Sequence, residues 1–544
     1  MMNILQNKKL SQPVMLIFLL AVSFLYFWYG CQYFDFRTYH FDEGMSVYGA
    51  TQVLNGALPC RDFWTYHMPG RFYVLAAIFK IFGISLKTAV LFAVFILSLT
   101  SSAIYLFVSR VSARIFAIFA YLLSMVLFKS YMVYNRTAQY AILFYIFSFF
   151  PLLSYLSSGK RKWLFIGGLF AGMIGLFRID FEFFCLTSFF IVVLLKRITQ
   201  LREGPYREGP YKEMLISIMK DCFYLFGGFL LVFLPVFIFF IRFGGSMELQ
   251  SYILSGVWLK NRFLPFPGFK AGSFIFYLPA LVFLITVFKL VSFEAVNKDR
   301  IFWLKVFLLL SLFFLYGYTV SRPDMPHLLA TMVPAIILFV LFYGDFMKSI
   351  GKFKYGALYK GLLWGVSFSA CFLLIFLNLK HNFINSREQG QHRREAGPLV
   401  PRAEGIYDFS EYAQSHMEAV RYIRERTGMN EKIFVGNLRH DRLVNNDVMF
   451  YFLAERQSAT RYFVFEPGFT NTRRIQQEII GDLYREKPRY VVLWTASEEI
   501  NEPNESSKAS GVKDLDEFIR KNYKIERVFT GYIILKRFSS RGNT

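Results

Sequence analysis

The sequence has few cysteines for its length, and those it has are scattered. Its 544 residues include five cysteines, with no CxxC pair and no cysteine–histidine spacing typical of zinc. The spacing therefore indicates neither a zinc site nor a redox motif. Only Cys31 and Cys60 fall in one predicted loop, where a disulfide would require an oxidising compartment.

Charged residues are also scarce, at 18% of the chain, and lysine plus arginine outnumber aspartate plus glutamate by 61 to 38. A positive excess can indicate nucleic acid binding, but membrane proteins collect lysine and arginine at the cytoplasmic ends of their helices. A chain that is 55% hydrophobic, with 66 phenylalanines, cannot fold as one water-soluble core. We therefore expect a membrane protein with no nucleic acid partner.

Apolar segments of the length of a membrane span fill the chain up to residue 380. A spanning helix needs ~20 mostly apolar residues. The first segment, 14–29, lacks a convincing cleavage site and is expected to stay as a signal anchor. We predict about eleven transmembrane helices, with centres near residues 22, 98, 120, 147, 170, 190, 232, 282, 309, 335 and 370.

Basic residues mark alternate loops as cytoplasmic. These loops lie at residues 8–9, 110–114, 160–162, 196–220, 298–300 and 348–360. The tandem repeat at 202–212 is charged and turn-rich, and we interpret it as a flexible loop without chemistry. An odd number of spans places the C-terminal segment outside. The sequence thus predicts a bacterial inner-membrane protein with a cytoplasmic N-terminus and a periplasmic C-terminal domain.

The composition changes after residue 380. We predict a transmembrane domain at 1–380, a polar linker at 381–401 and an external domain at 402–544. Within that last domain, buried strands at 432–435 and 490–494 alternate with amphipathic helices, and 523–538 suggests a hairpin that turns near Gly531. This alternation favours a soluble α/β domain. It contains neither GxGxxG nor Walker A, so nucleotide binding is not indicated.

The first external loop, 31–72, has the densest group of polar side chains. Asp42 and Glu43 precede a stretch, 44–54, whose apolar spacing suits a helix lying on the membrane surface. Carboxylates are favoured in the first turn of a helix by its dipole. Asp42 is either a base at the membrane interface or simply the cap of this helix, with Glu43 as a second catalytic candidate.

Three other predicted external features carry candidate residues. Asp62, in the same loop, is a further catalytic candidate. His67 is a candidate to bind a phosphate or to shuttle a proton, or else a structural histidine. The loop at 250–270 mixes aromatic and basic residues, which suits an acceptor groove or an ordinary interface belt.

Two Arg-x-Asp motifs lie at external helix ends. Arg178 precedes Asp180, and Arg322 precedes Asp324 and His327. Ionisable residues at membrane depth cost ~2.5 to 3.5 kcal/mol on insertion scales, so several such ends on one face suggest a shared polar site. The arginine fork matches phosphate oxygens. The five residues are candidates to bind a phosphate or substrate, and internal salt bridges are the alternative.

The first-loop pattern resembles a known family. It runs from Asp42-Glu43 through Tyr48, Gly56 and Arg61-Asp62 to an amphipathic run led by Pro69. In this pattern the chain resembles the C-type (GT-C) membrane glycosyltransferases. The nearest branch includes the polyprenyl-phosphate-mannose protein mannosyltransferases and the lipid A aminoarabinose transferases. Softer similarities lie at 176–180, 322–328, 450–454 and 487–493.

The resemblance implies a GT-C-like polytopic α-helical protein that transfers a sugar from a polyprenyl phosphate to a lipid, glycan or protein acceptor. It places Asp42 near the acceptor nucleophile, with Glu43 or Asp62 as alternatives. Many members carry an acid in the second external loop, where this chain has Tyr-Asn-Arg-Thr at 134–137. No cofactor is certain, and a divalent cation stays an open alternative. The competing hypotheses are a transporter or flippase of lipid-linked saccharides and an envelope scaffold.

Overall fold

The computed structural model describes residues 12–30, 41–129, 137–203, 211–243, 263–292, 298–388, 394–395, 400–404, 407–408 and 411–538. The predictions that concern Cys31, residues 134–136, most of the charged repeat and residues 250–262 lie outside these ranges. The described part has two regions, a helical bundle up to residue 388 and a C-terminal domain.

The bundle consists of helices joined mostly by short turns. They are α1 (Gln12–Gly30), α2 (Asp42–Leu54), α3 (Gly70–Phe82), α4 (Leu86–Val111), α5 (Arg114–Lys129), α6 (Thr137–Ser158), α7 (Lys162–Gly175), α8 (Ile179–Glu203), α9 (Tyr211–Phe243), α10 (Leu278–Ser292), α11 (Arg300–Ser321), α12 (Met325–Ile350) and α13 (Gly356–Glu388). A 3₁₀ turn, Ala271–Phe276, precedes α10. Helix α13 continues eight residues past the predicted end of the transmembrane domain.

All eleven predicted span centres lie in helices. In the described ranges, seven helical segments are long and apolar enough to cross a bilayer: Gln12–Gly30, Leu86–Val111, Thr137–Ser158, Lys212–Phe243, Arg300–Ser321, Met325–Ile350 and Gly356–Lys380. The other four centres fall in α5, α7, α8 and α10. Helices α5, α7 and α10 have 16, 14 and 15 residues, fewer than the ~20 of a full span.

Helices α7 and α9 pack with their backbones in close approach, which glycine permits. A Cβ atom on Gly168 would lie 2.0 Å from the carbonyl oxygen of Leu225, and one on Gly228 would lie 2.0 Å from that of Phe165. Small residues at such crossings let transmembrane helices associate by van der Waals contact. The two glycines therefore fix α7, and with it the turn into α8 that carries Arg178.

The C-terminal domain is α/β, as predicted. A short antiparallel pair, β1 (Arg394–Glu395) and β2 (Tyr407–Asp408), precedes it. The main sheet has strands β3 (Phe434–Asn437), β4 (Tyr490–Trp494), β5 (Tyr523–Phe529) and β6 (Tyr532–Arg537), in the order β3-β4-β6-β5. Its helices are α14 (Glu411–Arg426), α15 (Met449–Ala454), α16 (Arg473–Glu486) and α17 (Asp514–Asn522). Strand β3 is parallel to β4 and the other pairs are antiparallel. The predicted hairpin is confirmed, with Gly531 in its turn at φ +86°.

The helix expected to lie on the membrane surface is instead enclosed by protein. Residues 43–51 of α2 are all buried, because the C-terminal domain covers the face opposite α3. A Cβ on Gly44 would lie 2.4 Å from the backbone nitrogen of Met449. The Tyr48 hydroxyl accepts a 2.8 Å hydrogen bond from the Ser458 amide. Sequence periodicity could not reveal this cover, since the covering residues come about 400 positions later.

Candidate active site

A cavity of about 240 Å³ lies where the bundle meets the C-terminal domain. It is lined by six of the nine residues that the sequence singled out: Asp42, His67, Arg178, Arg322, Asp324 and His327. They come from α2, from the loop before α3, from the turn between α7 and α8, and from the turn and first residues of α12. Segments distant in sequence thus meet in one polar chamber.

Asp42 is the first residue of α2 and one wall of this cavity. Phe41 occupies the N-cap position and makes no capping hydrogen bond through its side chain. Asp42 therefore lies in the first turn, where the helix dipole favours a carboxylate, rather than at the cap position itself. Its carboxylate lies near the Arg71 guanidinium and favours the charged form of that group.

Arg178 lies in the turn between α7 and α8. Its Nε donates to Asp180 Oδ1 at 2.8 Å, and its Nη1 donates to the Tyr318 hydroxyl at 3.1 Å. The guanidinium also stacks over the rings of Phe181 and Tyr318, at 4.8 and 4.7 Å from their centroids. Burial opposes its charge, but Asp180 and Tyr318 outweigh burial and raise the pKa of Arg178. Arg178 thus forms a salt bridge and lines the cavity at the same time. Asp180, which does not line the cavity, orients the arginine.

The second motif forms a connected network. Asp324 is the N-cap of α12: its Oδ1 accepts from the His327 amide at 2.9 Å and lies 2.5 Å from His327 Nδ1. Arg322 Nε donates to Asp324 Oδ2 at 3.1 Å. Burial opposes the charge on Asp324, but the bonds to His327 and the attraction of Arg322 outweigh it and lower the pKa of Asp324 to about 2. The carboxylate therefore stays ionised at neutral pH.

Arg71 lines the same cavity and was missed by the sequence analysis. It is buried in the first turn of α3, its Nη2 contacts the Met45 sulfur, and within the described ranges its Nε has no hydrogen-bond partner. Burial lowers the pKa of Arg71 to about 10, although Asp42 favours its charged form. A buried arginine with an unused donor beside a cavity is suited to an anionic ligand. The sequence feature that could have singled out Arg71 is its position directly after His-Met-Pro-Gly, at the start of an amphipathic run.

The C-terminal domain supplies the remaining wall, which the sequence did not predict. It contributes Val444, Asn445, Glu466, Pro467, Glu502 and Ser506. Glu502 binds Arg322 through both carboxylate oxygens, at 2.5 and 3.2 Å. No local pattern marks these residues, because each reaches the cavity only through the docking of the whole domain.

The other three predicted residues lie outside the cavity lining. Glu43 follows Asp42 in α2 and is buried. Asp180 is the salt-bridge partner of Arg178. Asp62 lines a separate cavity of about 250 Å³ between the first loop and the C-terminal domain. There it accepts a 2.7 Å hydrogen bond from the Leu58 amide and pairs with Arg61. Its contacts are those of a loop-stabilising residue.

The residues that the structure describes form no cluster suited to a divalent cation. In the ranges given above as described, no group of three or more histidine, cysteine, aspartate or glutamate side chains is arranged to hold a metal ion. The cavity carboxylate of Asp324 is already engaged by His327 and Arg322.

No protein-family model matches the chain, and no curated protein matches it. Solved structures do match it, and they show that the chain has a GT-C-like fold, as predicted. ArnT from Cupriavidus metallidurans bound to undecaprenyl phosphate matches with a TM-score of 0.54 over 98% of this chain and 100% of that one, at 11% identity. Its apo form matches with a TM-score of 0.53 over 95% and 97%, also at 11% identity.

The oligosaccharyltransferase of Archaeoglobus fulgidus, in complex with zinc and sulfate, is also similar. It has a TM-score of 0.49 and 11% identity, over 88% of this chain and 68% of that one. At 11% identity the likeness to ArnT establishes the architecture.

Proposed function

We propose that this protein transfers a sugar from a polyprenyl phosphate to an acceptor in the cell envelope. The observation that carries the proposal is the cavity that Asp42 lines together with three arginines, the buried Arg71 and the partly buried Arg178 and Arg322, at one end of the bundle. The fold supports it, because a protein of the same architecture was solved with undecaprenyl phosphate bound.

The arginines are suited to hold the donor phosphate. Arg71, Arg178 and Arg322 all come from the bundle, beside the lipid in which a polyprenyl chain would lie. Guanidinium groups stay charged in apolar surroundings and bind phosphate oxygens in pairs. Since their charges are already in position, they would also stabilise the negative charge that develops on the phosphate as it leaves. His327, bonded to Asp324, is suited to donate to the same group.

Asp42 is suited to act as the general base. In the proposed step, the acceptor oxygen forms a bond to C1 of the sugar while the bond from C1 to the phosphate oxygen breaks. The electron pair leaves with polyprenyl phosphate, and Asp42 accepts the acceptor proton. Attack opposite the leaving group inverts the anomeric centre. No covalent sugar–enzyme intermediate is required.

Asp42→Asn tests the proposal, with Asp62→Asn as the matched control from the same loop but outside the cavity. A deletion strain would be complemented with each variant at equal membrane expression, and its envelope glycans compared by mass spectrometry. We expect the deletion to remove a defined sugar, Asp62→Asn to restore it and Asp42→Asn not to. Full restoration by Asp42→Asn would exclude Asp42 as the base. An unchanged glycan profile in the deletion strain would favour a transporter or a scaffold.

In the proposed orientation, the protein lies in a bacterial inner membrane and its C-terminal domain lies in the periplasm. The basic loops on the opposite side support it. An alkaline phosphatase fused after residue 544 should be active, and one inserted at 204–210 should be inactive. The reverse pattern would place the cavity on the cytoplasmic face and contradict the proposed donor.

A further inference from the structure

The positively charged groups of the cavity all come from one of the two regions of the protein. The bundle supplies all the arginines and histidines of the lining, and the C-terminal domain supplies none. The domain's polar contribution consists of Asn445, Glu466, Glu502 and Ser506, which we call the domain wall. The carboxylates of this wall, Glu466 and Glu502, repel phosphate, while its amide and its hydroxyl are neutral. The wall therefore suits a part of the ligand that carries no negative charge.

Two atoms of the domain wall are buried with unused hydrogen-bonding capacity. Ser506 is 2% exposed, and neither its Oγ nor the Oδ1 of Asn445 has a hydrogen-bond partner among the residues that the structure describes. Buried polar atoms in native proteins nearly always have partners. Since both residues line the cavity, a ligand bound there is the natural partner. The amide oxygen accepts, and the hydroxyl both donates and accepts, as sugar hydroxyls require.

The backbone that carries these two atoms is held in place. The Asn445 carbonyl accepts a 2.8 Å hydrogen bond from Asn437, at the end of β3. The Ser506 amide donates to Asn504 Oδ1 at 2.9 Å. Arg442 fixes the same segment through bonds to the carbonyl oxygens of Ile500 and Ser507, at 2.8 and 3.0 Å. The wall is therefore preorganised, as a specificity-determining surface needs to be.

We infer that the domain wall, through Ser506 and Asn445, binds hydroxyl groups of the donor sugar and so selects which sugar is transferred. The inference rests on the proposed function, since it needs the donor phosphate to lie on the arginines of the bundle. The phosphate then holds the sugar between the bundle and the wall. A site built to hydrogen-bond a hydroxyl discriminates strongly against a ligand that lacks it, because its own polar groups are left unpaired.

The test compares a bare carrier with a glycosylated one. The full-length protein in lipid nanodiscs would be titrated with undecaprenyl phosphate, and with undecaprenyl phosphate bearing glucose, galactose, mannose, an N-acetylhexosamine or arabinose. The wild type should prefer at least one glycosylated carrier. Ser506→Ala and Asn445→Leu should bind that carrier at least about tenfold more weakly, with unchanged affinity for undecaprenyl phosphate. Ser497→Ala and Asn430→Leu, outside the cavity lining, serve as matched controls.

Deoxy analogues of the preferred glycosylated carrier would identify the sugar hydroxyl that Ser506 binds. Removing the hydroxyl that Ser506 binds should weaken wild-type binding to the level of Ser506→Ala, with no additional loss in that variant. The inference is overturned if the wall variants weaken both carriers alike, if they weaken neither, or if the wild type prefers no glycosylated carrier. Failure of the proposed function is distinct: Arg178→Gln would then keep full affinity for undecaprenyl phosphate.

Discussion

The guanidinium of Arg322 and the carboxylate of Glu502 form two hydrogen bonds, at 2.5 and 3.2 Å, between residues 180 positions apart. The pair joins the bundle to the C-terminal domain inside the cavity. If Arg322 binds the donor phosphate, then the phosphate and Glu502 compete for the same donors.

Glu502→Gln should therefore strengthen binding of undecaprenyl phosphate, because the arginine loses its competing anion. The pair is partly exposed, at 23% and 19%, and such bridges are worth ~0–1 kcal/mol, so we expect a gain of up to about fivefold. Glu505→Gln, whose carboxylate pairs with Lys508 outside the cavity lining, is the control. Weaker binding by Glu502→Gln would indicate that Glu502 only holds the domains together.

Arg178→Lys should lower kcat/KM by about tenfold to a hundredfold, since lysine keeps the charge but loses the planar fork. A charge-assisted hydrogen bond is worth ~1.5 to 3 kcal/mol. Steady-state transfer assays on purified protein would measure the loss, with Arg61→Lys as the control because Arg61 is exposed and outside the cavity lining. Equal activity of Arg178→Lys and the wild type would show that Arg178 supplies only charge.

Asp324 should make stability depend on pH in acid. Its folded-state pKa of about 2 lies below the ordinary ~3.9 of an unfolded chain. Its ionised form therefore contributes about 2 kcal/mol above pH ~4, and this contribution is lost as the pH falls towards 2. Asp324→Asn can still cap α12 but carries no charge. Thermal unfolding should show a lower Tm for this variant than for the wild type at pH 6, and a smaller difference in Tm between the two proteins at pH 3. The same difference in Tm at pH 6 and pH 3 would contradict a stabilising role of ionised Asp324.

Gly168→Ala should destabilise the bundle, because its Cβ would collide with the Leu225 carbonyl at 2.0 Å. Overpacking of this kind costs ~1 to 3 kcal/mol. Gly227→Ala is the matched control, since nothing lies within 4 Å of its Cβ position and alanine favours a helix. Thermal unfolding in detergent should rank Gly168→Ala below the wild type and Gly227→Ala at or above it. The same Tm for both variants would show that α7 can shift away from α9.

The sequence predicted those parts of the site whose contacts are local. Arg178 and Asp180 are two positions apart and form the salt bridge that the sequence left open as the alternative to ligand binding. The positions of the helices followed from runs of apolar residues. Arg71 was missed because its burial depends on how α3 packs against α2. Glu502 was missed because hydrophobic periodicity carries no information about docking between distant segments. Asp62 matched the family pattern, yet its bonds to Leu58 and Arg61 keep it in its own loop.

The burial of α2 beneath α15 affects how the protein matures. Asp42 and the rest of the first loop leave the ribosome about 400 residues before Met449, which at ~5 to 20 residues per second is a delay of ~20 to 80 seconds. During that interval the bundle can insert into the membrane while its cavity still lacks the domain wall. A chain that ends before the C-terminal domain would then reach the membrane but could not enclose a substrate. Under the proposed function, sugar transfer would therefore begin only after the C-terminal domain has docked on the bundle.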